Sequence, residues 1–317
     1  MNVSVIIPVY KAEAFVEKAV RSALSHPEVK EILLVEDGSA DGSLDVCKQL
    51  AQNHVEVQVL QHPHGINKGA GASRNLGIKN ATQEYIAFLD ADDYYTAIRF
   101  QKEKEVFKNH PEADGVYGAI GVEYLDAVGA TAWEQKGLDE HSLTTVNKPI
   151  DPAHLFEFLI SVKNPNRYQG YYSIDGLTLR RESLAKSGLL FNTSLRLHQD
   201  TVFLWQTSYA LKLFTGEYQK PIAMRGVHES NRFIHAKKIN LSRSKQFKVL
   251  RDWAIDKKLN TNILERFQKK YFQHVIASKP KVLLPFYYLK LLVLDAPTQR
   301  TFSKKQIKTV LQQIQGK

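Results

Sequence analysis

The chain has 317 residues, 43% hydrophobic and 24% charged, enough to bury a large core as one domain or two. Its formal net charge of +10 is uneven: from residue 236 onward 19 Lys and Arg face 4 Asp and Glu, whereas the preceding residues carry 24 against 29. No apolar stretch approaches the roughly 20 residues needed to span a bilayer, one cysteine cannot form an internal disulfide, and no zinc-finger or RNP-type signature supports nucleic-acid binding.

The first hundred residues alternate two periodicities. "VSVIIPV" is a short β-branched run suited to a strand buried on both faces. The N-terminal "MNVSVIIPVY" has no basic leader ahead of that run, so no signal peptide is expected. Val16, Val20, Ala23 and Leu24 then fall on one helical face. "EILLVEDGS" reads as a second strand, "SLDVCKQLAQN" as a helix, "VEVQVLQ" as a third strand and "GASRNLGIKNA" as a helix. "EYIAFLDADD" is the fourth strand and "AIRFQKEKEVFKNHP" the next helix. Cys47 in its helix is expected to be a buried thiol in a reducing, cytoplasmic setting. The alternation predicts an α/β fold, a mainly parallel sheet flanked by helices. Ligands of such sheets bind beyond the carboxyl ends of the strands. There the sequence places Pro8 to Lys11, Glu36 to Ser39, and Asp90 to Asp93.

From about Asp114 the pattern changes. "GVYGAIGVEYLDAVGA" resembles paired strands and "DPAHLFEFLIS" a helix with Pro in its first turn. "NPNRYQGYYSIDGLTLRR" reads as loop and strand, and "LHQDTVFLWQTSYAL" as a helix with Asp200 in its first turn. The basic tail shows helical apolar spacing in "FKVLRDWAI" and "VLLPFYYLKLLVL". The expected organisation is residues 1–235 as one domain with two halves, 1–113 and 114–235. Residues 236–317 are expected to form a basic helical extension.

"FLDADDYY" brings Asp90, Asp92 and Asp93 together, where they repel unless a cation or solvent lies between them. At an extended strand end, residues two apart share a side, so Asp90 and Asp92 are able to address one hard cation, Mg2+ or Mn2+. A bare D-x-D is as readily a solvated turn; the buried "YIAFL" before it favours a cleft. Glu36 or Asp37 could accept hydrogen bonds from a ligand, or simply form an Asp-Gly turn. "NKGAGASRNLG" offers Lys68 and Arg74 among small residues without forming a Walker loop. Arg74 reads either as a bridge between phosphate and aspartates or as a structural ion pair.

In order and spacing, "VSVIIPVYKAEAFVEKAVRSAL", "ILLVEDGSADGS", "NKGAGASRNLGI" and "YIAFLDADD" resemble the family 2 inverting glycosyltransferases of the GT-A (Rossmann-like) fold. The resemblance spans roughly Asn2 to Arg232. It implies that Pro8 and Tyr10 flank a nucleotide base, that Asp37 hydrogen-bonds a uracil, and that Asp90 approaches the ribose. Asp92 would bind a divalent metal on the diphosphate. In "LRLHQDTVFLW" Asp200 keeps the place of the catalytic base, while Gln199 replaces the family's Glu. "MRGVHESNRF" resembles the segment whose His, here His228, approaches metal or diphosphate; a lone His is otherwise a surface or core residue. The implied activity is metal-dependent transfer of a sugar from a nucleotide-sugar, with UDP expected, to a hydroxyl of a glycan or lipid-linked acceptor in bacterial envelope polysaccharide synthesis.

Trp133, Tyr168, Tyr171 and Tyr172 are candidate acceptor contacts, or core aromatics. The basic tail suits anionic lipid, with Phe286, Tyr287, Tyr288 and Leu289 at the interface, or a solvated helical face. Two other functions compete: a non-catalytic sugar-nucleotide-binding scaffold, suggested by Gln199, and a nucleotidyltransferase. The second needs a glycine- and basic-rich loop after the first strand, which "IPVYKAEAF" lacks.

Overall fold

A computed structural model describes residues 1–135, 137–161, 170–231 and 239–278. It divides into two compact units, Met1–His235 and Ala236–Lys317.

The first unit opens with β1 (Val3–Val9), α1 (Val16–Leu24), β2 (Val29–Glu36), α2 (Ser43–Asn53), β3 (Val57–Gln61), α3 (Ala70–Asn80) and β4 (Tyr85–Phe88). A short β5 (Tyr94–Tyr95), α4 (Gln101–Asn109), β6 (Gly115–Tyr117), β7 (Ile120–Tyr124), α5 (Ala127–Glu134) and α6 (Pro152–Ser161) follow. Then come β8 (Leu177–Arg180), α7 (Arg181–Ser187), α8 (Gln199–Ala210), β9 (Leu213–Thr215) and β10 (Ala223–Val227). The main sheet has the order β3-β2-β1-β4-β8-β6-β9. Strands β3, β2, β1 and β4 run parallel, β8 is antiparallel to both its neighbours, and β6 pairs parallel with β9. The expected mainly parallel α/β sheet flanked by helices is therefore observed.

Burial explains the strands that periodicity found. Val3, Val5, Ile7 and Val9 point into one core cluster with Val16, Ala19, Val20 and Ala23 of α1, and Ile6 on the other face of β1 is equally buried. Helix α3 crosses that other face so closely that a Cβ on Gly77 would collide with the Ile6 side chain. Cys47 is fully buried, and burial pushes its thiol up to about 12, so it is an inert core residue.

Two expectations fail. "GVYGAIGVEYLDAVGA" does not form a strand pair: β6 joins the main sheet, β7 joins a second sheet of order β5-β10-β7, and the last residues begin α5. Gly118 and Ala119, between β6 and β7, bond to Gly176 and Glu217 rather than closing a hairpin. Second, β4 ends at Phe88, and Asp93 N–H closes a turn on Asp90 carbonyl at 3.0 Å. Asp90 and Asp92 therefore sit on a turn, and the period-two argument for their common direction does not apply.

The second unit contains α9 (Ile239–Asp256) and α10 (Thr261–Ala277). Asn260 caps α10 by accepting the Ile263 N–H at 3.0 Å. Phe247, Leu250 and Ala254 of α9 are buried, as are Ile263, Phe267 and Phe272 of α10. Among the described residues no helix is long and apolar enough to cross a membrane. Phe286 to Leu289 lie outside the described residues.

Candidate active site at the carboxyl edge of the sheet

The ends of β1, β2 and β4 present three polar turns. After β2, Glu36 is 1% exposed; it accepts the Ser39 N–H at 2.5 Å and the Gln61 amide at 2.8 Å. Burial works against ionisation of its carboxyl, yet these bonds prevail and hold it below its usual range. Asp37, 2% exposed, accepts the Lys68 and Gly69 backbone N–H groups at 2.7 and 2.8 Å, one on each oxygen. Asn67 donates to the Asp37 carbonyl, and His62 lies 3.6 Å from the carboxylate. Gly38, with φ of 70°, lies so close to the Gly65 carbonyl that a side chain would not fit. Asp37 thus ties loop 62–69 to the end of β2, while Glu36 ties Ser39 to Gln61 of β3. Pro8 is half-buried and Tyr10 is 40% exposed beside them; Lys68 is exposed.

Arg74 on α3 is buried at the same edge. Its side chain is 3% exposed, its Nη2 pairs with Asp90, and its Nη1 donates to Gln199 Oε1 at 3.2 Å. It braces the β4 turn to the start of α8. Burial works against its charge, but Asp90, Asp200 and Asp175 hold the guanidinium firmly protonated. Burial pushes the Asp90 carboxyl up to about 6; Arg74 opposes this, while Asp175 and Asp92 add to it.

Asp175, which sequence reasoning passed over in "SIDG", accepts the Asp90 N–H at 2.9 Å and the Ser173 hydroxyl at 3.0 Å. Asp93 accepts the Gly226 N–H at 3.0 Å; burial, then Asp175, Asp92 and Asp90, push its carboxyl well above the ordinary range. Carboxylate oxygens of Asp90, Asp93 and Asp175 lie within 4.8 Å of one another.

Asp92 points elsewhere. Its Oδ2 lies 3.3 Å from His228 Nε2 and accepts the Asn231 amide at 3.1 Å. Strand β10, which leads to His228, approaches so tightly that a Cβ at Gly226 would strike the Asp92 carbonyl. Two ligands of an octahedral ion with bonds of about 2.1 Å are about 3 Å apart. One carboxylate oxygen and one imidazole nitrogen at 3.3 Å fit that edge, so the pair suits a small divalent cation.

Asp200 stands in the first turn of α8, half-buried, its Oδ1 accepting the Thr201 N–H at 2.8 Å. Its neighbour Gln199 is the residue held by Arg74, and its charge acts on that guanidinium. The preceding His198 has φ of 63°, a left-handed entry that ends the loop abruptly.

The candidate acceptor aromatics separate. Trp133 is 1% exposed and packs with Val122, Leu138 and Val227. Tyr172 stacks on Tyr117 at 4.6 Å and donates to the Leu204 carbonyl. Neither presents a ring to a ligand here, because both serve the core. Tyr171 is half-buried, and Tyr168 lies outside the described residues.

Residues 4–154 match the family described as Glycosyl transferase family 2. The uncharacterized glycosyltransferase EpsJ of Bacillus subtilis (strain 168) is 28% identical over 206 residues, 63% of this chain and 54% of that protein. The minor teichoic acid biosynthesis protein GgaA of the same organism is 27% identical over 212 residues, 64% of this chain and 42% of GgaA. The chain thus spans about half the length of these relatives. The crystal structure of S. aureus TarS 1-349 in complex with UDP-GlcNAc superposes with a TM-score of 0.60 at 17% identity, covering 86% of this chain and 73% of that one. At that identity the likeness is one of fold.

Proposed function

Because residues 4–154 match the family 2 glycosyl transferases, we propose that the chain is a metal-dependent inverting enzyme of that family, moving a sugar from a UDP-sugar to a hydroxyl of a glycan or lipid-linked acceptor. The observation that carries this reading is the convergence of Asp92 and His228 at 3.3 Å on one side of the Arg74 brace, with Asp200 beside its other end. Asp92 and His228 would hold Mn2+ or Mg2+, which when bound supplies Lewis-acid stabilisation of a departing diphosphate. Asp200 takes the proton from the acceptor hydroxyl as its oxygen attacks the anomeric carbon. A single displacement opposite the leaving group inverts the configuration, with no carboxylate nucleophile.

The UDP-GlcNAc and UDP complexes of the TarS neighbour support a uridine nucleotide. GgaA's part in teichoic acid synthesis supports an envelope polymer as product. We assign recognition of the base to Asp37, with Pro8 and Tyr10 flanking it. The working location is the cytoplasm, with the basic segment from residue 236 facing anionic lipid. The scaffold alternative loses its ground, since Gln199 has a structural task in accepting from Arg74.

Asp200→Asn tests the reading. With Mn2+ it should bind UDP as the wild type does, while UDP release from a donor sugar in the presence of acceptor falls about 10²–10⁴-fold. Normal turnover by the variant would remove Asp200 as the base.

A further inference from the structure

The turn that carries His228 is more elaborate than one ligand requires. Asn231 Oδ1 accepts the His228 N–H at 2.7 Å, and its Nδ2 donates to Asp92 Oδ2 at 3.1 Å. The backbone closes on itself as well, Asn231 N–H bonding to the His228 carbonyl at 3.0 Å. The amide orientation follows from chemistry: only its oxygen can accept from the His228 N–H, so the amino group must face the carboxylate. Asn231 and His228 are 8% and 7% exposed.

Two further contacts fix the imidazole, and a third fixes the turn. Ser230 Oγ is 2.6 Å from Nδ1. The Phe15 ring stacks on the imidazole, centroids 4.6 Å apart and planes inclined by 29°. Asp126 Oδ2 accepts the Glu229 N–H at 2.8 Å, tying the turn to the start of α5. The hydroxyl of Ser230 can accept from Nδ1–H, which leaves the Nε2 lone pair free for a cation, or donate to Nδ1 when Nε2–H faces Asp92. One turn therefore orients both candidate ligands, although they lie 136 residues apart in the chain.

Building on the proposed metal role of Asp92 and His228, we infer that Asn231 and Ser230 are positioning residues that preset these two groups for one divalent cation. Asn231 holds the Asp92 carboxylate and the His228 backbone in one grip; Ser230 anchors the imidazole ring at Nδ1, whichever nitrogen carries the proton. Neither touches the reacting atoms. Partners of this kind, removed, typically weaken metal binding about 10–100-fold.

The test uses the full chain, with free Mn2+ titrated in the presence of saturating UDP and followed by electron paramagnetic resonance. Wild type, Asp92→Ala, Asn231→Ala and Ser230→Ala are compared, each checked for a folded melting transition. The expected result is saturable binding by wild type, loss in Asp92→Ala, and affinity at least about tenfold weaker in Asn231→Ala with its melting transition retained. If Asn231→Ala does not fold, Ser230→Ala decides, because its side chain is exposed; it should still weaken Mn2+ severalfold. Wild-type affinity in the folded Asn231 variant, or in Ser230→Ala where that serves, overturns the inference while leaving the metal site standing. Absence of saturable Mn2+ binding by wild type overturns both.

Discussion

Arg74→Met would show whether one guanidinium holds the β4 turn and the start of α8 together. Two groups are left behind by the change. Gln199, 6% exposed, loses the donor to its Oε1, a loss of about 1–3 kcal/mol for a buried acceptor. Asp90 loses its counter-charge. Abandoning a fully buried carboxylate costs about 3–5 kcal/mol. The Asp90 side chain is 37% exposed, so solvent screening reduces this to about 1–2 kcal/mol. Against these, Arg74 Nε is buried without a hydrogen-bond partner, and removing it returns about 1 kcal/mol. The balance at pH 7.5 is a destabilisation of about 1–4 kcal/mol.

The same reasoning fixes the pH dependence. Burial already pushes Asp90 up to about 6 against the pull of Arg74, and without Arg74 its carboxyl rises further. A raised carboxyl binds its proton in the folded state first, so stability recovers as pH falls. By pH 5 the deficit should shrink toward the Gln199 contribution alone. Urea unfolding followed through the buried Trp133 and Trp205 reads this directly. With a slope of about 2 kcal/mol/M, the midpoint should fall by about 1 M at pH 7.5 and by clearly less at pH 5. A variant within about 0.5 kcal/mol of wild type at both pH values, or a deficit growing on acidification, would refute the brace.

Other expectations concern the frame beneath the site. Gly77→Ala gains about 1 kcal/mol of helix propensity, but the new Cβ meets Ile6, with Cγ1 at 3.0 Å and Cγ2 closer. Overpacking of about 1–3 kcal/mol should win, lowering the melting temperature; a stabilised variant would show that α3 can lift off β1 freely. At His198, φ of 63° suits Asn and penalises β-branched residues. His198→Val should lose about 1–2 kcal/mol where His198→Asn loses little, and equal stabilities in a denaturant melt would contradict a strained entry to α8.

Much of the frame was legible because its signal is local. Strands β1, β2 and β4 are apolar runs buried on both faces, and the polar residues at their ends marked the cleft. The second sheet was not legible: β5 has two residues, and β10 reads "AMRGV", whose Arg and Gly interrupt any apolar run. Asp37 illustrates a different limit. An Asp after a strand looks alike whether it meets a ligand or a loop, and only the fold of loop 62–69 gives it the Lys68 and Gly69 N–H groups. Trp133 and Tyr172 left two readings open for the related reason that aromatic rings serve a core as readily as a sugar. Asp175 and Asn231 carry no local signature; their partners Asp90 and Asp92 are 85 and 139 residues away. Position in the family's motif order suggested His228, whereas spacing alone did not.

The central claim, a nucleotide site completed by a divalent cation, is met most directly by calorimetric titration with UDP, GDP, CMP and dTDP, each with and without Mn2+. Saturable binding of UDP that requires Mn2+ and is lost in Asp92→Ala is the predicted result. Binding of no nucleotide, or binding indifferent to the metal and to Asp92, would contradict it.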